Sequence, residues 1–136
     1  MVSKSIENLV SDIEGILTNG IPSDTNSEIF EQYAKDLATV FTNRLDRTKR
    51  EFTLRMSNIG APCVRKLWLE KNYPEDKIPF EANTFYKFRF GDIIEEDIIF
   101  LAALAGHRVE GRQKESEIAG IKGHRDVVID GVLVDV

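Results

Sequence analysis

Apolar residues fall at helical spacing through the first third of the chain. In SKSIENLVSDIEGILT, residues 3–18, Ile6, Leu9, Val10, Ile13, Ile16 and Leu17 line one side of a helix, and Asn19-Gly20 supplies its stop. A second amphipathic helix opens at TNSE, where Thr25 and Glu28 have capping-box spacing, and carries Ile29, Phe30, Tyr33, Leu37, Val40, Phe41 and Leu45 on one stripe. Two such stripes predict helix packed on helix rather than a cofactor box. SNIGAP, residues 57–62, reads as a loop, and Pro62 suits the first position of a short helix in CVRKLWLEK, with Trp68 as a core residue rather than a base-stacking platform. The stretch 73–79 is irregular. From about Asn83, NTFYKFRFGDIIEEDIIFLAALAG reads as one helix of roughly 22 residues stopped by Gly106. Phe85, Phe88, Ile94, Ile98, Leu101 and Ala105 are expected to bury one side of it, while Asp92, Glu95, Glu96 and Asp97 crowd its middle.

After Gly106 the period changes from helix to strand. HRVEGRQ, residues 107–113, predicts a short strand, KESEIAG a turn-rich link, and IKGHRDVVID followed by GVLVDV a β-hairpin. Helices first and strands after predict an α/β fold of α+β character. A type I′ turn needs positive φ at both central residues, so Asp130-Gly131 between two β-branched runs is a strong hairpin signal. With those two residues as the loop, Ile129 opposes Val132, Val128 opposes Leu133, Val127 opposes Val134 and Asp126 opposes Asp135. One face then reads Asp126, Val128, Leu133, Asp135. The other reads Val127, Ile129, Val132, Val134, Val136, is wholly apolar, and is expected to be buried against helices.

Directly opposed carboxylates repel, and more so where they are partly desolvated. A divalent cation gives a reason for the pairing, since Mg²⁺ binds through one or two carboxylates together with waters and phosphate oxygens. The alternative is a solvated sheet end with the two charges splayed.

Composition narrows the setting. A chain of 136 residues, 42% hydrophobic and 30% charged, has the length for a single core and is too apolar to be disordered. No apolar run approaches the ~20 residues of a membrane span, and Glu7, Asn8 and Asp12 interrupt what would be the apolar core of a signal peptide. A cytoplasmic setting follows, and Cys63, being alone, excludes an intrachain disulfide or a four-cysteine cluster. The net charge of −5 argues against a protein that coats nucleic acid, but residues 44–71 hold eight basic residues against three acids. That stretch is either a phosphate-contacting patch beside an acidic pocket or, favoured on charge alone, a solvated connector.

FRFGDIIEEDIIFLAALAGHRVEGRQ and IKGHRDVVIDGVLVDV together resemble the core of the PD-(D/E)XK nuclease superfamily, in the branch of the lambda-type phage exonucleases and RecB-like nucleases. In that pattern a helix bears an acid a few residues after a glycine, a strand follows, and a hairpin supplies an aspartate and then an acid-x-lysine element. The resemblance covers residues 57–136 and implies an incomplete restriction-endonuclease-like core of helix, strand and hairpin there, after an N-terminal helical region over residues 1–56. It makes Glu95, the fourth residue after Gly91, the helix acid, Asp126 the motif aspartate and Asp135 the acid of the last element. SNIGAPCVRKLWLE resembles the segment before that helix in RecB-like members, where a cysteine can be the first of four iron–sulfur ligands. With Cys63 alone, no iron–sulfur cluster is expected and a buried thiol is. The family's lysine falls at the position immediately after Val136, and the helix and fourth strand that complete the family's sheet are likewise missing.

The resemblance implies Mg²⁺- or Mn²⁺-dependent hydrolysis of DNA phosphodiester bonds by an exonuclease of a bacterial or phage-infected cell, present here as an N-terminal fragment or one half of a split enzyme. Asp126 and Asp135 would hold the metal, with Glu95 as a direct or water-mediated ligand. Glu96, about 100° further round the helix, is the alternative. Without the lysine, metal binding is expected to survive and hydrolysis to be severely weakened. Gln113 resembles a glutamine beside the metal in some relatives. His124 shares the acid face by parity and is either a substrate contact or a solvated histidine. Ser57, Arg65 and Lys66 are candidate phosphate contacts, with a helix start at Pro62 adding backbone donors, or else a loop cap and exposed helix charges. Two other readings compete: a catalytically incompetent binding or assembly protein on the same fold, and a helical interaction module whose acidic hairpin is incidental. The strand 131–136 would be a sheet edge with an apolar face, so the expected partners are DNA and, at that edge, a C-terminal complementing polypeptide or another chain, a second copy included; no membrane is expected.

Overall fold

The structure, a computed structural model, describes residues 4–46, 48 and 51–136. Ser3 of the first expected helix and Arg47, Lys49 and Arg50 of the basic run lie outside the described residues. The N-terminal helix begins as a 3-10 turn, Ile6–Asn8, where the Ser5 hydroxyl accepts from the Glu7 N–H, and continues as α1, Leu9–Asn19. Gly20, at φ +86°, ends it at the predicted stop. The second helix, α2, spans Ser27–Leu45. Its N-cap is Asn26, whose Oδ1 accepts from the Glu28 N–H at 3.0 Å. Thr25, expected in that role, instead donates its hydroxyl to the Pro22 carbonyl at 2.7 Å and closes the preceding turn.

SNIGAP is not all loop, since Met56–Asn58 forms a 3-10 turn. Helix α3, Val64–Asn72, takes Cys63 as its N-cap, so Pro62 precedes the helix instead of opening it. Cys63 is exposed, and Trp68 is 55% exposed beside Tyr73, against the expectation of a buried thiol and a core tryptophan. The cause is that α3 packs mainly on the short 3-10 turn that follows it, Pro74–Asp76, and not on the core.

The long helix, α4, runs Ala82–Leu104 and ends at Gly106 with φ +85°. Its buried residues are Glu96, Ile99, Ala102 and Leu104, whereas Phe88 and Ile94, expected inside, are exposed. A single inward stripe does not describe α4, because α1, α2 and the sheet each cover a different part of it.

The strands pair antiparallel in two sheets, so the fold is mixed α+β rather than α/β. The first strand, β1, is only Val109–Glu110, cut short where Gly111 and Gln113 take positive φ. KESEIAG, expected as a link, forms β2, Lys114–Ile118, and a turn in which Ala119 and Gly120 have φ +51° and +77°. All of β2 is exposed, so it lacks the apolar alternation that marks a strand in sequence. It pairs with β3, Ile121–Arg125. IKGHRDVVID is therefore not one hairpin arm: it breaks at Asp126 between β3 and β4, Val127–Ile129, which belongs to the other sheet. The last strand, β5, is Val132–Val134, and the sheet order is β1-β4-β5.

Val127 and Ile129 are fully buried against Ile99 and Ala102, with Ile6, Leu9, Ile13, Val109 and Val134 packed around them. Of the five residues of the expected apolar face, Val127 and Ile129 are thus core and Val134 packs against them. Val132 and Val136 on the same face remain exposed, because β5 is the edge strand and helices cover only its inner neighbour.

Candidate metal centre

The acid pair is a product of the turn. Asp130 and Gly131 have φ +49° and +82°, the two left-handed residues of a type I′ turn, and the ladder runs Ile129 to Val132, Val128 to Leu133, Val127 to Val134. This is the register expected from the sequence. One step further, Asp126 and Asp135 leave the ladder but stay close enough for a carboxyl–carboxyl hydrogen bond to act on Asp135, and the Val136 N–H donates to Asp126 Oδ2 at 3.3 Å. The Asp135 carboxyl is pushed above its ordinary value, first by that hydrogen bond, then by the charge of Asp126, and least by burial.

Glu95 reaches the pair through Gln113. The Gln113 side-chain amide donates to Glu95 Oε1 at 2.7 Å, and its backbone N–H donates to the Asp126 carbonyl at 2.9 Å. Gln113 does this in the left-handed region, at φ +48°, a conformation that costs a non-glycine residue about 1–3 kcal/mol. Glu95, Gln113, Asp126 and Asp135 therefore form one connected path from α4 to the hairpin. Among the described residues no three His, Cys, Asp or Glu side chains gather closely enough to hold a metal ion. The two carboxylates that could hold a hard cation such as Mg²⁺ or Mn²⁺ are therefore Asp126 and Asp135, and Glu95 is connected to them through Gln113.

Glu96 faces elsewhere. It is 3% exposed and paired with Arg112, whose guanidinium also bonds Asp36 of α2. Burial pushes the Glu96 carboxyl up, and the Arg112 charge and hydrogen bond oppose that push. Glu95 meets Gln113, and Glu96 is turned toward Arg112 and α2. Gly111 completes the support: at φ +57° it leaves room for the Arg125 guanidinium, which a Cβ would strike and whose Nε donates to the Gly111 carbonyl at 3.1 Å.

The break at Asp126 removes the parity that placed His124 on the acid face. His124 lies exposed in β3 opposite Glu115, with Nε2 3.3 Å from Oε2 of that residue. Ser57 sits on the 3-10 turn that packs against β3, and Arg65 and Lys66 are exposed on α3. Among the described residues no side-chain hydrogen bond or ion pair joins these three to the acids.

Sequence reasoning missed a buried cluster at the other end of the hairpin. The His107 side chain is fully buried, with Nδ1 2.6 Å from Asp130 Oδ2 and Nε2 3.1 Å from Asp12 Oδ2. Asp12 also accepts from Lys4 Nζ at 2.8 Å, and Asp130 Oδ1 from the Arg108 N–H at 2.9 Å. The Lys4 hydrogen bond is the main cause holding the Asp12 carboxyl below its ordinary value, and the His107 hydrogen bond the main cause for Asp130. The cluster clamps the hairpin turn to α1. Only the turn propensity of Asp130 was visible locally.

Comparison with protein-family models, with curated proteins and with solved structures finds no match for this chain. Among the described residues no helix is long and apolar enough to cross a membrane.

Proposed function

We propose that this chain carries the metal-binding part of a Mg²⁺- or Mn²⁺-dependent nuclease of PD-(D/E)XK type, with an incomplete restriction-endonuclease-like core, that hydrolyses DNA phosphodiester bonds in the cytoplasm. The observation that supports this reading is the Asp126 and Asp135 pair, set side by side beyond a type I′ turn and linked through Gln113 to the helix acid Glu95. Stability alone gives little reason to place two carboxylates together at the end of a hairpin. A cation bound there would polarise a phosphoryl oxygen and lower the pKa of an attacking water. Asp126 and Asp135 bind, Glu95 adds negative charge as a direct or water-mediated ligand, and Gln113 keeps Glu95 oriented. The resemblance puts the family's lysine two positions beyond Asp135, and a polypeptide supplying it is expected to raise cleavage. β5 is an open sheet edge with Leu133 exposed on it, and a lysine-bearing polypeptide or another chain pairs there.

The test has two arms. Mn²⁺ binding is measured by calorimetry for the wild type, Asp126→Asn and Asp135→Asn, and each substitution is expected to abolish it. Unchanged binding in Asp126→Asn refutes the site. Linear and circular DNA are then incubated with Mg²⁺ and the chain, alone and with a polypeptide continuing past Val136 with the lysine. No cleavage in any combination refutes the enzyme. DNA binding without cleavage identifies instead a nuclease-fold binding protein.

A further inference from the structure

A groove of about 820 Å³ opens between α2, the second half of α4, and β1 with the residues that follow it. Its lining along α2 runs from Asn26 to Asn43, a length of about 25 Å at ~1.5 Å per helical residue. The floor is apolar, made by Ile29 and Val40 of α2, Ile99 and Phe100 of α4, and Val109 of β1. Four carboxylates stand along it, Glu28, Asp36, Glu96 and Glu110, against one guanidinium, that of Arg112. That guanidinium is already engaged by Asp36 and Glu96, so the groove presents net negative charge to whatever enters.

Sign and shape select the occupant. A nucleic acid strand fits poorly, because its phosphates would meet Glu28 and Glu110, and among the described residues the one cation in the lining, Arg112, is held by Asp36 and Glu96. A compact ligand would leave most of the length uncovered. A helix laid along α2 would cover it: about 16 residues span ~25 Å, and apolar side chains at i, i+4 and i+7 would meet the floor while basic flanks face the acidic rim. The rim acids are open to such a partner. Among the described residues Glu110 pairs with Arg108, itself exposed, at 2.7 Å, a surface ion pair that a partner's cation can replace at little cost. Glu28 is exposed in the first turn of α2 and, among the described residues, accepts from the Asn26 side-chain amide beside it at 3.1 Å.

We propose that this groove docks a basic amphipathic helix of a partner polypeptide, with apolar anchors on Ile29, Val40, Phe100 and Val109 and Lys or Arg flanks against Glu28 and Glu110. The site does not rest on the nuclease reading and stands whether or not the acid pair binds metal.

The full chain is titrated, at low ionic strength, into three fluorescein-labelled peptides of about 16 residues. The first carries Leu anchors at helical spacing with Lys and Arg flanks, the second the same anchors with Glu flanks, and the third the composition of the first with the spacing scrambled. Anisotropy is expected to show the basic amphipathic peptide binding about tenfold or more tighter than either control. Glu28→Gln with Glu110→Gln, both at exposed positions, is expected to remove most of that advantage while circular dichroism stays that of the wild type and melting falls by no more than a few degrees. Amide shifts in the wild type are expected at the groove residues and not at α3. Equal binding of the scrambled peptide, equal binding of the acidic peptide, shifts outside the groove, or no binding of the basic peptide would each overturn the proposal.

Discussion

Arg112→Met isolates the clamp behind the candidate metal centre. Arg112 joins α2 to α4 by bonding Asp36 and Glu96 together. Asp36 is the more exposed acid and keeps the Gln32 side-chain amide at 2.8 Å, so its loss is small. Glu96 is 3% exposed, and Arg112 is its charge partner among the described residues, so removing the guanidinium strands a buried carboxylate. Breaking a buried pair in this way costs about 3–5 kcal/mol, against a total stability of roughly 5–15 kcal/mol for a single domain. Protonation relieves the cost. Burial already pushes the Glu96 carboxyl up, and without the opposing charge and hydrogen bond of Arg112 it rises further. The native state of the variant then holds a proton that the unfolded chain has released, so stability falls as pH rises above the ordinary carboxylate range, and the penalty is small below it. Urea unfolding at mildly acidic and mildly alkaline pH reads the effect, and Arg112→Met with Glu96→Leu should recover most of the loss by replacing the charge with an apolar side chain. A pH-independent loss, a loss under about 1 kcal/mol at alkaline pH, or a double variant no better than the single would refute the reasoning.

Two further outcomes follow from the hairpin's supports. Asp12 and Asp130 are held below their ordinary values, so the stability they contribute is present above the unfolded carboxylate pKa and is lost as pH falls through their lowered folded values. Asp130→Asn keeps a residue type that tolerates the left-handed turn but removes the charge facing His107; stability followed by urea titration from neutral into acid pH should start lower and decline less steeply than in the wild type, and an unchanged slope would contradict the clamp. Gly111→Ala places a Cβ at φ +57° against the Arg125 guanidinium and should cost at least ~1–2 kcal/mol from the left-handed backbone alone; an alanine variant as stable as the wild type would show that this loop is not held as described.

Elements whose signal is local were legible. The Asp130-Gly131 turn dictated its own register, because positive φ at both residues and alternation along each arm leave one pairing. Gly20 and Gly106 stopped their helices for the same kind of reason. Legibility failed where neighbours compete or compensate. Thr25 and Asn26 are both good caps, and the Pro22 carbonyl decided between them by taking the Thr25 hydroxyl. The residues of β2 lack apolar alternation and so predict a link; what holds the strand is pairing with β3, reinforced by Lys122 Nζ 3.0 Å from Glu115 Oε1, which alternation along one strand does not show. Trp68 and Cys63 followed composition rules for burial on a helix that has no core to enter.

By itself, then, the sequence determined that two aspartates are neighbours beyond a tight turn, since the period of a strand and the geometry of a two-residue loop are short-range properties. The tertiary structure decided which other groups surround them. It turned Glu95 toward Gln113 and Glu96 toward Arg112, moved His124 into another sheet, and set His107 between Asp12 and Asp130, a contact that spans 95 positions of chain. The physical reason is that α4 is packed on several sides at once. Its inward phase therefore comes from the summed burial of distant partners rather than from its own stripe, and that phase assigns each acid its place.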